Sequence, residues 1–267
     1  MTASPPSTTS ERTGLVAEHI RVVLGGRPVV RDVGLVAEAG TLLALVGPNG
    51  CGKSTLLSVL AGLRRPESGT VRVNGRDIGS MPARDLARER SFVTQQNRTD
   101  TPFTVGEVVE MGRYPWLRTP AAADSPEIIA EAMAACDLTE ITDRPVSQLS
   151  GGQQARVSLA RALAQQSPVM LLDEPTAALD IHHQEKVLDI LRAQRDRGHA
   201  ILLVVHDLSL AAAYADRVAV MADGEILADG ATRDVMTAEL LSATYDHPVE
   251  IWDHPETGQP VIVPRRR

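Results

Sequence analysis

Cysteine is scarce: Cys51 and Cys136 are the only two in 267 residues, and their spacing suits no metal site. That excludes a disulfide framework and a cysteine-built zinc site, and makes a reducing compartment the simpler setting. Aromatic residues amount to 3%, so the core has to be assembled from Leu, Val, Ile and Ala. Lysine is almost missing; only Lys53 and Lys186 occur, and the remaining basic residues are arginine. No apolar run reaches the roughly 18 residues of a membrane-crossing helix. A net charge of -7 speaks against a broad nucleic-acid footprint, so no nucleic-acid partner is expected. The N-terminus, MTASPPSTTSERTG, has no basic start followed by an apolar stretch, and reads as a disordered tail over residues 1–13 rather than a secretory signal. The chain is expected to be soluble and cytoplasmic, with any membrane role supplied by a partner.

What is present is a phosphate loop. Gly47-Pro48-Asn49-Gly50-Cys51-Gly52-Lys53-Ser54-Thr55 fits G-x-x-x-x-G-K-[ST] and directly follows the apolar run Leu42 to Val46. The glycines let the backbone curl so that several N–H groups point at one phosphate chain. Lys53 to Leu63 reads as a helix whose N-terminal end adds partial positive charge at the same place. Lys53 is suited to reach the outer phosphates and the Ser54 hydroxyl to bind Mg²⁺. The motif predicts a nucleoside triphosphate site.

Around it the chain alternates between strand and helix signals. Leu15–Leu24 and Val29–Ala37 form a hairpin across Gly25-Gly26, with Thr70–Asn74 as a further strand in a small β layer. Pro82–Glu89 reads as a short helix and Ser91–Thr94 as a strand ending at Gln95. A proline-punctuated, mainly helical insert follows, with helices over 104–111 and 126–136. From Ser150, a good helix cap, a helix runs to about Gln166. The apolar runs Val169–Leu172 and Ala200–Val205 end at Asp173-Glu174 and His206-Asp207. A hairpin over 218–228, a helix over 233–245 and a terminal hairpin complete the reading. Continuously apolar runs are the mark of strands buried on both faces of a parallel sheet. Ligands of such sheets lie beyond the carboxyl ends of the strands, so Gln95, Asp173, Glu174 and His206 are expected to gather beside the phosphates.

Leu149-Ser150-Gly151-Gly152-Gln153, followed by Val169-Met170-Leu171-Leu172-Asp173-Glu174-Pro175, gives the chain a resemblance to the ATP-binding subunits of ABC transporters, over about residues 13 to 264. The resemblance implies an α/β fold: a P-loop NTPase core with an antiparallel β subdomain and a helical subdomain over about 97–165, within one domain spanning 14–264. It implies ATP and Mg²⁺ as cofactors. Asp173, Ser54 and Gln95 would hold Mg²⁺; Glu174 would be the catalytic base, His206 the switch that contacts the γ-phosphate, and Gln95, in preference to Gln96, the residue that senses nucleotide and signals to the transmembrane subunit. Ser150, Gly151, Gly152 and Gln153 would bind the γ-phosphate held by a second copy of the chain, and Asp180 would cross between the two copies. One chain then holds two half-sites, and hydrolysis requires a homodimer with ATP between its faces. In one respect the chain departs from the family: the aromatic residue that usually stacks on adenine is Leu24 here, leaving Leu24 and Val29 as an aliphatic wall.

Pro102-Phe103-Thr104-Val105, Gly112-Arg113-Tyr114-Pro115-Trp116 and the tail Tyr245-Asp246-His247-Pro248-Val249 are similar to the subunits that power uptake of iron chelates, heme and cobalamin, and most similar to those of hemin importers. The implied partners are transmembrane permease subunits, docking on residues 95 to 116, and indirectly an extracytoplasmic substrate-binding protein. The implied location is the cytoplasmic face of the membrane. Ferric siderophore or cobalamin import is the alternative, and a soluble ABC-type ATPase without a membrane partner is the alternative of another class. His182 and His183 are neighbours on a helix, about 100° apart, and cannot both grip one ion from it.

Overall fold

The computed structural model describes residues 14–94 and 102–266. The strands β1 (Gly14–Leu24) and β2 (Arg27–Glu38) pair antiparallel through Gly25-Gly26. Both glycines hold positive φ, as a two-residue hairpin connection demands of its central residues. The buried strand β3 (Leu42–Val46) leads through the glycine loop into α1 (Lys53–Leu60), which stops short of Leu63 where Gly62 turns to a φ of 70°. β4 (Ser68–Val73) and β5 (Arg76–Asp77) complete a sheet ordered β2-β1-β4-β5. α2 (Ala83–Glu89) then delivers the chain to β6 (Arg90–Val93).

The helical part comprises α3 (Val105–Glu110), α4 (Ser125–Ala135) and α5 (Gly151–Ala164). Thr104 and Glu107 start α3 with a reciprocal cap: the Glu107 amide donates to Thr104 Oγ1 at 3.3 Å, and the Thr104 amide to the Glu107 carboxylate at 2.8 Å. The base of this insert is sewn together by the Thr104–Pro145 bridge and by the Val105 and Gly106 amides donating to Arg144 and Thr142 carbonyls.

Strands and helices then alternate: β7 (Val169–Asp173), α6 (Ile181–Asp196), β8 (Ala200–Val204), α7 (Leu208–Tyr214), β9 (Arg217–Ala222) and β10 (Glu225–Ala231). The single helix expected over 233–245 is two, α8 (Thr232–Val235) and α9 (Ala238–Tyr245). Thr237 takes extended dihedrals and its hydroxyl accepts from the Leu240 amide at 3.2 Å, starting a new helix instead of continuing the old one. β11 (Val249–Asp253) and β12 (Pro260–Pro264) form the terminal hairpin.

The central sheet runs β10-β9-β3-β8-β7-β6, with parallel pairing throughout except at β10, on its edge. Side chains alternate across it and build a core on each face. Leu42, Ala44, Met170, Leu172, Ile201 and Leu203 face α5, α6, α7 and the helical part. Leu43, Leu45, Val169, Leu171, Ala200 and Leu202 face α1 and the antiparallel sheet. Each of these leucines, fully withdrawn from water, contributes about 1.5–3 kcal/mol, so the strands that carry the site's residues cannot shift independently.

Candidate active site

Because β3, β8, β7 and β6 run parallel, their carboxyl ends open on one edge, where Gly47 and Glu174 follow directly and His206 follows one residue later. The loop from Gly47 to Gly52 is strained in a way only glycine tolerates. Gly47 holds a φ of 153° and lies so close to β9 that a Cβ would stand 1.9 Å from the Met221 carbonyl oxygen. The Gly224 amide donates to the Cys51 carbonyl at 3.0 Å and the Arg31 amide to the Gly224 carbonyl at 2.7 Å, so the β9–β10 turn ties the loop to β2. Val29 of β2 thereby forms one wall of a pocket of about 350 Å³, together with Asn49, Gly50, Gly52, Lys53, Ser54, Thr55, Glu174 and His206.

Lys53 is only 5% exposed, and its ammonium donates to the Gly47 carbonyl at 2.7 Å and the Pro48 carbonyl at 2.9 Å. These bonds hold a compact positive charge at the pocket floor, under the free amides of the first turn of α1. Asp173 is buried at the end of β7, with Oδ1 lacking a hydrogen-bond partner among the described residues. Burial pushes its carboxyl above the usual range, opposed by a hydrogen bond from Ser54 and by the charges of Lys53 and His206. An orphaned carboxylate oxygen beside a hydroxyl is a donor set suited to a hard divalent cation, so the residues present fit Mg²⁺.

Glu174, the next residue, stands at a φ of 51°, a left-handed conformation uncommon for a side chain of its size. Its amide donates to the Val204 carbonyl at 3.0 Å, and its carboxylate meets His206 Nε2 directly. The reversal of the backbone after Asp173 turns the two consecutive carboxylates to different tasks: one sits beside Ser54 and the other faces His206 across the pocket.

A second pocket, of about 620 Å³, is lined by Ser150, Gly151, Gly152, Gln153, Arg156, Ala178, Leu179, Asp180 and His183. It shares no residue with the first. Ser150 and Gln153 form a capping box at the start of α5, Ser150 Oγ accepting from the Gln153 amide at 3.3 Å and Gln153 Oε1 from the Ser150 amide at 3.0 Å. The side chains thus cap each other and leave the Gly151 and Gly152 amides to meet an anion. Asp180 caps α6, accepting from the His183 amide at 2.9 Å, with His183 Nδ1 at 2.7 Å from the same oxygen. That amide bond, followed by the imidazole, holds the Asp180 carboxyl below the usual range.

Gln95, and its competitor Gln96, lie outside the described residues, as does the N-terminal tail. Val29 lines the pocket beside the phosphate loop, and Leu24, of the aliphatic wall expected from both residues, stands 36% exposed at the end of β1. Among the described residues no group of three or more histidines, cysteines and carboxylates is placed to hold a metal ion. Arg156 carries no sequence signal for this pocket, whereas His183, judged in the sequence only as the neighbour of His182, is marked by the Asp-x-x-His spacing at a helix start. Tyr245, noted in the sequence only as part of the tail, ends α9 with its phenol buried beside the Gly47 backbone and Cys51 and pushed up to about 12, chiefly by burial.

The family model described as ABC transporter matches residues 30–177, more than half of the chain, taking in the phosphate loop, the Ser150–Gln153 helix start and the Asp173-Glu174 strand end. The chain belongs to the ABC transporter ATPases. Curated relatives of this ATPase include the hemin import ATP-binding protein HmuV of Rhodococcus jostii, 48% identical over 98% of this chain and 90% of the relative. The protein of the same name from Thermobifida fusca is 48% identical over 98% and 92%. The cobalamin import ATP-binding protein BtuD of Halobacterium salinarum is 40% identical over 96% of this chain and 63% of its own length. Among solved structures, an inward-facing putative metal-chelate type ABC transporter superposes with a TM-score of 0.80 at 28% identity, covering 95% of this ATPase and 98% of that chain. A dimeric bacterial ABC transporter cassette gives 0.75 at 27% identity, over 82% and 99%.

Proposed function

We propose that this ATPase powers hemin import through a membrane permease, hydrolysing ATP between two copies of the chain on the cytoplasmic face of the membrane. The observation that carries the dimeric mechanism is the separation of its two pockets. The phosphate loop, Glu174 and His206 line one, and Ser150, Gly151, Gly152 and Asp180 line the other. One chain therefore brings the anion-binding amides of α5 to no phosphate of its own, and a second copy placed head to tail completes both sites.

In this arrangement the loop amides from Gly47 to Thr55 and the Lys53 ammonium cradle the β- and γ-phosphates. Ser54, Asp173 and Gln95 would hold Mg²⁺, which when bound neutralises charge on the β- and γ-oxygens. Water attacks the γ-phosphorus; its oxygen forms the new P–O bond while the bond to the β-phosphate oxygen breaks, releasing ADP and inorganic phosphate. Glu174 accepts the proton of the attacking water. His206, against the Glu174 carboxylate, fixes its direction and reaches the γ-phosphate with the same imidazole. The Gly151 and Gly152 amides of the partner close over the γ-phosphate, so turnover waits on dimer closure.

Hemin as cargo is supported by the near full-length likeness, at 48% identity, to ATPases named for hemin import, against 40% for the relative named for cobalamin. Phe103, Tyr114 and Leu117 are large apolar side chains left exposed on the helical part, where a permease would dock. No helix among the described residues is long and apolar enough to cross a membrane, and attachment is through that partner. The test is ATP turnover of the chain reconstituted with its permease and supplied with binding protein loaded with heme, ferric siderophore or cobalamin. Stimulation by heme alone is expected; stimulation only by another cargo overturns the assignment. Recovery of a soluble complex in place of a permease in pull-down would overturn the transport reading itself.

A further inference from the structure

Gly112-Arg113-Tyr114-Pro115-Trp116 lies in a 3-10 turn over Met111–Trp116 and takes no part in the nucleotide chemistry. Arg113 is 2% exposed, the largest fully buried side chain among the described residues. Burying a guanidinium is expensive unless its donors are met. Its Nη1 donates to the Ala164 carbonyl at 2.9 Å, Nη2 to the Ala121 carbonyl at 2.9 Å, and Nε to Ser125 Oγ at 3.1 Å. The Trp116 indole N–H donates to the Gln165 carbonyl at 2.7 Å.

Ala164 and Gln165 are the C-terminal end of α5, the helix whose other end is Ser150–Gln153. The last four carbonyls of a helix lack intrahelical partners and carry its negative pole, and Arg113 and Trp116 satisfy two of them. Gly112 permits the contact, since a Cβ there would stand 2.3 Å from the Arg161 carbonyl oxygen. On the other side the Pro115 carbonyl accepts from Arg84 and Arg88 of α2, each at 2.9 Å. The guanidinium carbons of Arg88 and Arg113 lie 5.6 and 5.4 Å from the Trp116 ring. Between these anchors Tyr114 is 55% exposed and Leu117, just beyond, 49%.

We propose that this segment is a clamp that holds α5 by its C-terminal end and transmits permease movement, received at Tyr114 and Leu117, to the Gly151 and Gly152 amides at the other end. Arg113 and Trp116 are positioning residues, and the inference rests on the permease reading above. A helix of fourteen residues is about 21 Å long; tilting it by roughly 3° moves its far end about 1 Å, enough to make or break an N–H···O contact.

The test compares wild type, Trp116→Phe (which keeps the ring and loses the N–H) and Tyr114→Ser, each alone and with the permease in proteoliposomes. Trp116→Phe is expected to leave ATP binding, unfolding temperature and unstimulated turnover within about twofold of wild type while reducing permease-stimulated turnover at least fivefold. Tyr114→Ser is expected to lower stimulation at unchanged unfolding temperature. A parallel fall of stimulated and unstimulated rates in Trp116→Phe would mean a merely structural role and overturn the inference, as would full stimulation in a complex where wild type is also stimulated. Absence of stimulation in wild type overturns the permease reading and this inference together.

Discussion

The three glycines of the phosphate loop are not equivalent, and their cost of substitution can be ranked before any measurement. At Gly50, φ is 78° and an added Cβ meets nothing within 4 Å. Gly50→Ala should therefore lose only the left-handed backbone penalty, roughly 1–2 kcal/mol, or about 5- to 30-fold in affinity if it falls entirely on binding. At Gly47 the same Cβ lands 1.9 Å from the Met221 carbonyl oxygen, on a buried strand that cannot retreat, and 3.1 Å from Cys51 Sγ. Backbone strain and forced displacement each cost about 1–3 kcal/mol, so Gly47→Ala should lose about 2–6 kcal/mol. Gly52 falls between them, since its Cβ would meet the Val29 carbonyl oxygen at 2.7 Å but also the flexible Met221 Cε at 3.0 Å. The loss divides between folding and binding. The assay is therefore ATP titration by calorimetry in a Glu174→Gln background, where turnover does not interfere, together with denaturant unfolding of each variant. Summed losses should rise in the order Gly50, Gly52, Gly47. A summed loss for Gly47→Ala no greater than for Gly50→Ala would refute the argument that contact with β9 holds the loop.

Glu174→Gln should lower ATP turnover about 10²- to 10⁴-fold and leave the ATP-bound dimer long-lived; a variant that stays monomeric with ATP, alone and with its permease, contradicts the two-pocket argument. Asp173 binds its proton more tightly folded than unfolded, so its protonated form supports stability at acid pH and that support is lost as pH rises through the folded value. Asp173→Asn should accordingly unfold at a higher temperature than wild type at neutral pH without Mg²⁺, while losing Mg²⁺-dependent turnover; a lower unfolding temperature would show that burial of this charge is not the dominant effect. Thr104→Ala removes half of the capping box at α3 and should cost about 1 kcal/mol, visible as a fall of a few degrees in unfolding temperature with turnover of the isolated chain unchanged.

Much of the site was legible in the sequence because its residues sit where one kind of structure ends and another begins. A glycine loop between a strand and a helix, or an Asp-Glu pair closing an apolar run, carries its chemistry in local spacing. Helix ends were less legible: the break at Thr237 depended on a hydroxyl choosing the Leu240 amide, and residues 233–245 otherwise form one plausible helix. Which aliphatic residue stands against the loop was not legible either. Register along the bulged β1–β2 pair decides which aliphatic residue reaches the loop, and Val29 does so because the β9–β10 turn draws β2 against Gly52.

The sequence by itself determined that this chain binds a nucleoside triphosphate, that the strand ends at Asp173-Glu174 and His206 gather beside the phosphate loop and which residues supply charge there, because each of these follows from neighbours a few positions apart. Only the tertiary structure decided that Glu174 meets His206, that Asp173 keeps an oxygen without a partner among the described residues, that the phosphate loop and the start of α5 line separate pockets, and that Arg113 and Trp116 grip α5 from behind. Those contacts join residues tens of positions apart through a sheet whose strand order no local pattern encodes, and burial then sets how strongly each charge is felt.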